Sequence, residues 1–136
     1  MAKYEIFYEG DLRTRAVHET GEAIETDAPK DNQGQGRMFS PTDLVGVALG
    51  SCILTVMGII AKSMKIDLKG TRMVVSKQMA AAPSRRIGQI KVEIFCPQTF
   101  APDVTARLQK AAENCPVHHS LHPEIEKEVV YYWGQA

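Results

Sequence analysis

The sequence has no excess charge of either sign, because its 16 lysine and arginine residues balance its 16 aspartate and glutamate residues. Nucleic-acid-binding proteins carry a basic patch or stripe, and proteins that bind anionic lipid carry clusters of basic residues. Since neither pattern is present, we expect no nucleic-acid partner and no membrane partner. Cysteine is also scarce, with three residues in 136, which is too few for a fold that is stabilised by several disulfides.

The first nine residues lack the basic start and uninterrupted apolar stretch of a secretory signal. We therefore expect a cytoplasmic protein. In that reducing compartment lasting disulfides are rare, and transient disulfides usually have a redox function. The three cysteines, Cys52, Cys96 and Cys115, are therefore either buried small apolar residues or redox-active thiols.

The residue pattern predicts one α+β domain that covers residues 1–136. Alternating polarity indicates strands at residues 3–9, 12–18, 22–26, 71–79, 87–95 and 126–133. With two helices, which begin near residues 41 and 102, the predicted order is β-β-β-α-β-β-α-β. Residues 27–39 form a long polar loop, and loops of this length are often functional.

The first helix begins with a strong capping signal. Ser40 can cap the helix, Pro41 suits its first position, and Asp43 stands where the acid of a capping box belongs. From residue 44 to residue 61 there is no charge, and apolar residues fall on every side, so the helix is buried all round or crosses a membrane. Its position between strand-rich segments favours a core helix. Gly46 and Gly50 leave one flat face, against which we expect another helix to pack.

Cys52 lies in the middle of this apolar helix, where burial alone disfavours the thiolate. A reactive Cys52 therefore requires a cation from elsewhere in the chain. The candidates are Arg13, Arg15 and Arg37, of which the first two share one face of a predicted strand. An acid such as Asp43 could hold the arginine through a bidentate pair.

Cys115 ends the second helix and precedes Pro116, which can begin a further short helical turn. Unpaired amides at a helix N-terminus stabilise a thiolate, so we predict that Cys115 is an accessible and reactive thiol. The alternative is that it is only the last apolar residue of its helix. Cys96 precedes Pro97 at a strand end and is interpreted as a structural thiol.

The segment around Cys115 also allows a zinc site, because His118, His119 and His122 follow it closely. His118 and His122 have the spacing of residues that share a helix face. Two prolines bracket the segment, however, and the spacing matches no specific metal-binding pattern. We therefore expect surface histidines, with no metal and no other cofactor.

Two segments of the sequence resemble the cysteine motifs of the OsmC/Ohr family of osmotically inducible and organic hydroperoxide resistance proteins. The first-cysteine motif corresponds to SPTDL at residues 40–44 with ALGSC at residues 48–52. The second-cysteine motif corresponds to NCPV at residues 114–117. The segments YEGDLR at residues 8–13 and DAP at residues 27–29 are also similar, so the resemblance covers nearly the whole chain.

The resemblance implies an OsmC-like fold in an intertwined homodimer, in which strongly curved antiparallel sheets wrap central helices and the active sites lie at the dimer interface. It implies a peroxiredoxin-like peroxidase, in which Cys52 attacks an organic hydroperoxide and becomes a sulfenic acid. Cys115 then closes a disulfide onto Cys52, and a dithiol reductant, of the lipoyl type or another, resets the enzyme. The family arginine corresponds best to Arg13, but Arg15 is as plausible because the two share one strand face, and Arg37 is a candidate supporting residue.

The sequence departs from the organic hydroperoxide branch at Thr42, where that branch carries a glutamate. Asp43, the next residue, matches the acid of other branches, and Thr42 is kept as a candidate supporting residue. The alternative function is a small-molecule-binding or redox-sensing module on the same fold, without efficient turnover of peroxide. The two cysteines, each in its own motif, favour the enzyme, since a binding module needs neither.

Overall fold

The computed structural model describes residues 1–136 and confirms the predicted α+β class and element order. The strands are β1 (Tyr4–Gly10), β2 (Arg13–His18), β3 (Ala23–Asp27), β4 (Arg72–Ala80), β5 (Arg86–Cys96) and β6 (Glu126–Trp133). The helices are α1 (Pro41–Ser63), α2 (Pro102–Glu113) and the short α3 (Pro116–Ser120), and one 3₁₀ turn spans Lys30–Asn32. Each predicted strand lies within one residue of its observed bounds, because alternation and turn residues are local signals.

The chain divides into two compact units, residues 1–45 and residues 46–136, and the prediction of one domain stays a prediction. The first unit contains the antiparallel sheet β1-β2-β3, whose strands follow one another in the sequence. Strand β1 exposes the large side chains of Tyr4, Ile6 and Tyr8 to solvent. Strand β3, in contrast, ends in two buried polar residues, Thr26 and Asp27.

The second unit contains the sheet β4-β5-β6, in which β5 is the central strand. Ile90, Val92 and Ile94 alternate along β5 and are buried. Strand β4 runs antiparallel to β5, as expected, whereas β6 runs parallel to it. This pair differs from the expected antiparallel sheets because α2 and α3 provide the long crossover connection that a parallel pair requires.

Helix α1 buries one stripe of residues and not its whole surface. The buried residues are Gly46, Leu49, Gly50, Ile53, Met57 and Ala61. Val47 and Ile59 are exposed, so the prediction of burial on every side is wrong within a single chain. By length and composition α1 is also long and apolar enough to cross a membrane, a criterion that the core helix of a soluble protein can meet as well.

The flat face of α1 packs against a strand. A Cβ atom added at Gly46 would lie 3.2 Å from Val75 Cγ1, and one added at Gly50 would lie 2.7 Å from Met73 Sδ. The prediction that another helix packs against this face is therefore wrong, because the two glycines accommodate side chains of strand β4. Small residues four apart indicate a close approach, but they do not specify which kind of element approaches.

Replacing Gly50 by valine is expected to lower the free energy of unfolding by about 1–3 kcal/mol, because the added atoms overlap Met73 and Val75. Gly58→Val is the matched control, since Gly58 lies in the same helix and nothing lies within 4 Å of its added Cβ. Urea unfolding of the two variants measures the difference. Equal stability of both variants would contradict close packing of α1 on β4.

Candidate active site

Helix α1 and the residue before α3 bring Cys52 and Cys115 together. The two side chains lie within hydrogen-bonding reach of each other, and both thiols are free. Cys52 is partly exposed on α1, whereas the side chain of Cys115 is fully buried. Because a disulfide requires side chains that already approach each other, this contact makes a Cys52–Cys115 bond sterically accessible.

Cys115 caps the short helix α3, as its position before Pro116 predicts. Its Sγ accepts a hydrogen bond from the backbone N–H of His118, at 3.4 Å, and Pro116 occupies the first helical position. The predicted helix start is therefore confirmed. The predicted accessibility of the thiol is wrong, because the kink between α2 and α3 turns the Cys115 side chain into the core.

The surroundings of Cys115 keep its thiol protonated. Burial raises the pKa of the Cys115 thiol above its ordinary value, and the hydrogen bond with Cys52 raises it further. The backbone amides of His118 and Val117 act in the opposite direction but do not reverse the shift. At neutral pH Cys115 can therefore donate its S–H to Cys52, an arrangement that suits Cys52 as the attacking sulfur.

Arg13 lies beside a buried acid of the first unit, Asp27, which stands opposite it in the β2–β3 register. Arg13 Nε is 4.0 Å from Asp27 Oδ1, and Arg13 Nη2 donates to Gln35 Oε1 at 3.1 Å. Asp27 is fully buried, and its Oδ2 accepts the backbone N–H of Arg37 at 3.1 Å. Since Asp27 Oδ1 and Arg13 Nε have no hydrogen-bond partner, the pair is held by charge and not by a direct hydrogen bond.

Arg15 has a different environment, although it lies on the same strand. Its Nε donates to Glu9 Oε1 at 2.8 Å, and its guanidinium carbon lies 4.9 Å from the centre of the Phe7 ring. Both side chains of this ion pair are more than 40% exposed, so the pair contributes little to stability. Arg37 supplies its backbone N–H to Asp27, and its side chain lines an open cavity of about 660 Å³.

Asp43 and Ser40 form the predicted capping box. The backbone N–H of Ser40 donates to Asp43 Oδ2 at 2.9 Å, and the backbone N–H of Asp43 donates to Ser40 Oγ at 3.1 Å. Thr42 Oγ1 lies 3.2 Å from Ser40 Oγ and joins this local network. The capping role of Asp43 is confirmed, whereas its role as the partner of an arginine stays a prediction.

Asp27 is the residue that sequence reasoning missed. Its position at the end of a strand, directly before Ala28 and Pro29, is visible in the sequence. Only the pairing of β2 with β3 shows that it faces Arg13. A search for acids opposite Arg13 in an assumed hairpin register would have found it.

The histidines near Cys115 have local contacts. The ring of His118 lies 5.9 Å from that of His119, and His122 Nδ1 accepts the backbone N–H of Glu124 at 3.1 Å. Burial and the positive charge of Lys127 lower the pKa of His118. No group of three or more histidine, cysteine or acidic side chains is arranged to hold a metal ion.

The family model described as OsmC-like protein matches residues 34–130 of this chain. A Psychrobacter arcticus protein, provisionally named an osmotic stress induced and detoxification response protein, has a crystal structure that is similar over nearly its full length. The match has 43% sequence identity and a TM-score of 0.92, and it covers 97% of this chain and 96% of that one. The sequence matches no curated protein significantly.

Two more distant solved structures share the fold. An organic hydroperoxide resistance protein OsmC from Legionella pneumophila has a TM-score of 0.77 at 15% identity, with 96% of each chain covered. An OsmC-like protein from Mycoplasma pneumoniae has a TM-score of 0.78 at 18% identity, with 98% of this chain and 96% of that chain covered. At such low identity these similarities establish the fold alone, and the reaction has to be inferred from the residues of the site.

Proposed function

This chain belongs to the OsmC-like protein family, and from that premise we propose that it is a cytoplasmic, thiol-dependent peroxidase that reduces organic hydroperoxides in oxidative stress defence. Similar structures that are named organic hydroperoxide resistance proteins support a role of this kind. The observation that carries the proposal is the contact of Cys52 with Cys115, a protonated and buried thiol. Hydrogen peroxide is a second candidate substrate of the same thiol.

The proposed reaction starts from the thiolate of Cys52, which attacks the terminal oxygen of the hydroperoxide. The O–O bond breaks, the alkoxide takes up a proton and leaves as the alcohol, and Cys52 becomes a sulfenic acid. Cys115 then attacks the Cys52 sulfur, whose hydroxyl leaves as water, and a disulfide forms. An external dithiol, of the lipoyl type or another, reduces this disulfide and is itself oxidised.

The proposal assigns Arg13 to the activation of Cys52, because a guanidinium stabilises a thiolate and can bind a peroxide oxygen. The resemblance to the family supports this assignment, as does the buried Asp27, which positions the Arg13 guanidinium. Arg15 is a weaker candidate, since its guanidinium is paired with the exposed Glu9.

Arg13→Gln is expected to slow the oxidation of Cys52 by about 10²-fold, because loss of the cation removes electrostatic stabilisation of the reacting sulfur and oxygens. Arg15→Gln is the matched control and is expected to react within about threefold of the wild-type rate. Stopped-flow measurement of thiol loss gives both rates, and thermal melts test whether Arg13→Gln still folds around Asp27. A larger effect of Arg15→Gln would transfer the assignment to Arg15.

We also propose an intertwined homodimer as the functional form. The side chains of Tyr4, Ile6 and Tyr8 on β1 are each more than 60% exposed in the single chain, and Val47 of α1 is exposed as well. Large apolar side chains clustered on one strand indicate an interface, since their burial contributes favourable hydrophobic free energy. A second copy of the chain is the partner that the family resemblance implies.

The experiment that tests the proposed function is a rapid-mixing thiol titration. Reduced protein is mixed with hydrogen peroxide or with an organic hydroperoxide, the loss of free thiols is followed in time, and any new disulfide is mapped by mass spectrometry. We expect fast loss of two thiols, a Cys52–Cys115 bond and a higher rate with the organic hydroperoxide. Slow oxidation without that bond would contradict the proposal and favour a binding or sensing module.

A further inference from the structure

The two thiols of the candidate active site form a dithiol pair, of which one member can be reached from solvent. Cys52 and Cys115 lie within hydrogen-bonding reach of each other, and neither takes part in a disulfide. Cys52 is partly exposed on α1, whereas Cys115 is fully buried. A small ligand that binds both sulfurs can therefore enter from the side of Cys52.

The surroundings of the dithiol pair add no further metal ligands. No group of three or more histidine, cysteine or acidic side chains in the chain is arranged to hold a metal ion. Structural zinc takes four ligands, and iron–sulfur clusters are held by four cysteines, so two thiols satisfy neither. Cu⁺ also selects thiolates, and two sulfurs in a linear arrangement satisfy it. The number of ligands therefore favours Cu⁺.

The spacing of the two sulfurs suits an ion with two ligands. A zinc–thiolate bond is about 2.3 Å long, and with bonds of similar length a linear S–Cu–S unit spans about 4.6 Å. Thiols that are in hydrogen-bonding contact have to move apart by only a fraction of a bond length to admit the ion. Rotation of the Cys52 side chain can provide this movement, because that side chain is partly exposed.

Two backbone amides face the buried sulfur and suit the charge of such a complex. The N–H groups of Val117 and His118 both interact with Cys115 Sγ, the second at 3.4 Å. Two thiolates around one Cu⁺ leave a single negative charge, and hydrogen bonds from amides to a charged acceptor are stronger than those to a neutral one. The amides that cap α3 would therefore stabilise the metal-bound form of Cys115.

We propose that Cys52 and Cys115 together form a binding site for a single Cu⁺ ion. The protons that the two sulfurs carry pass to solvent, two S–Cu bonds form, and copper stays in the +1 state, so no oxidant or reductant is consumed. The ion is an inhibitory ligand and not a cofactor, since it occupies the sulfur with which the proposed peroxidase attacks a hydroperoxide. This inhibition rests on the proposed function, whereas the binding of copper does not.

Transfer of copper from a chelator tests the site without any peroxide. Reduced protein is titrated anaerobically into the coloured Cu⁺ complex of bicinchoninate, and the loss of colour gives the stoichiometry and the affinity. We expect one ion per chain in wild-type protein. Affinity is expected to fall by about 10²-fold or more in Cys52→Ser and in Cys115→Ser protein, because a second ligand on the same chain adds at least that factor.

Cys96→Ser is the matched control for the titration. Cys96 is likewise a free and buried thiol, but its Sγ donates to Gln98 Oε1 and it is not part of the dithiol pair. Its affinity for copper is expected to stay within about threefold of wild type. X-ray absorption at the copper edge is expected to show two sulfur neighbours and no nitrogen neighbour in both proteins.

Three outcomes would overturn the inference. One is wild-type protein that takes no copper from bicinchoninate, and another is equal affinity in wild-type and Cys52→Ser protein. The third is an absorption spectrum with nitrogen ligands, or half an ion per chain. Nitrogen ligands would place the copper at histidines, and half an ion per chain would place it between two copies of the chain.

The pH dependence of the affinity tests whether Cys115 is a ligand. Burial and the contact with Cys52 raise the pKa of the Cys115 thiol above its ordinary value, so the thiol carries its proton throughout the neutral range when no ion is bound. Because binding releases this proton, affinity is expected to fall by at least about tenfold for each pH unit between about pH 8 and pH 6. A constant affinity over this range would exclude Cys115 as a ligand.

Two independent measurements separate this inference from the proposed function. One equivalent of Cu⁺ is expected to slow the alkylation of Cys52 by N-ethylmaleimide by at least about tenfold, and excess chelator is expected to restore the rate. Copper binding in protein whose thiols react slowly with every hydroperoxide would refute the peroxidase and leave the copper site. Fast formation of the Cys52–Cys115 disulfide in protein that binds no copper would refute the copper site and leave the peroxidase.

Discussion

Cys52→Ser protein is expected to lose hydroperoxide reduction by about 10³-fold or more, because a serine hydroxyl is not ionised at neutral pH and cannot form a sulfenic acid. The substitution changes one atom of a partly exposed side chain, so the fold and the contact with Cys115 should persist. The measurement is steady-state consumption of an organic hydroperoxide with a dithiol reductant in excess. Cys115 is not expected to replace Cys52, since burial and the raised pKa of its thiol keep it protonated.

Cys96→Ser is the matched control for this experiment. Cys96 is also buried, and its Sγ donates to Gln98 Oε1 at 3.1 Å, a hydrogen bond that a serine hydroxyl can keep. Its activity is expected to remain within about twofold of wild type, because no feature of the proposed reaction involves this thiol. Full activity of Cys52→Ser protein, or an equal loss in Cys96→Ser protein, would remove Cys52 from the role of attacking thiol.

Cys115→Ser protein is expected to consume one equivalent of hydroperoxide and then to stop with Cys52 as a sulfenic acid. The first oxidation should proceed within about threefold of the wild-type rate, because a serine hydroxyl can still donate a hydrogen bond to Cys52. Disulfide formation is excluded, so turnover with the dithiol reductant is expected to fall by about 10²-fold or more. Rapid mixing counts the peroxide consumed, and a dione reagent that reacts with sulfenic acids labels Cys52 for mass spectrometry.

This result distinguishes a mechanism with two cysteines from one with a single cysteine. If Cys115→Ser protein turned over at the wild-type rate, the reductant would act on the sulfenic acid directly, and Cys115 would be only a buried residue that caps α3. If the first oxidation itself slowed by orders of magnitude, Cys115 would have to take part in the attack on the peroxide. The Cys52→Ser, Cys115→Ser double variant then shows whether any thiol oxidation remains, and Cys96 is its only cysteine.

Several features of the protein could be predicted because they depend on neighbours in the sequence. Strand alternation predicted all six strands, and the Ser40–Asp43 pattern predicted a capping box that the structure contains. The proline after Cys115 predicted a new helix start at that residue. In each of these cases, local sterics and hydrogen bonds among residues a few positions apart determine the conformation.

Other features followed only from packing. The kink at Pro116 is compatible with either an exposed or a buried Cys115. Packing of the core around Cys115 buries its side chain. The small residues Gly46 and Gly50 are compatible with a helix or a strand, and the side chains of β4 occupy the space that they leave. The partner of Arg13 depended on the register between β2 and β3, which placed Asp27 opposite it.

The order of the elements, the start of the first helix and the two cysteine motifs could thus be predicted from the sequence, since each is specified by contiguous residues. The contact of Cys52 with Cys115, and the burial that raises the pKa of the Cys115 thiol, follow only from the packing of the helices. These properties arise from residues far apart in the chain. Their distances and their desolvation exist only once the helices and the sheet have packed, because burial in a folded core changes both what a thiol can touch and how readily it ionises.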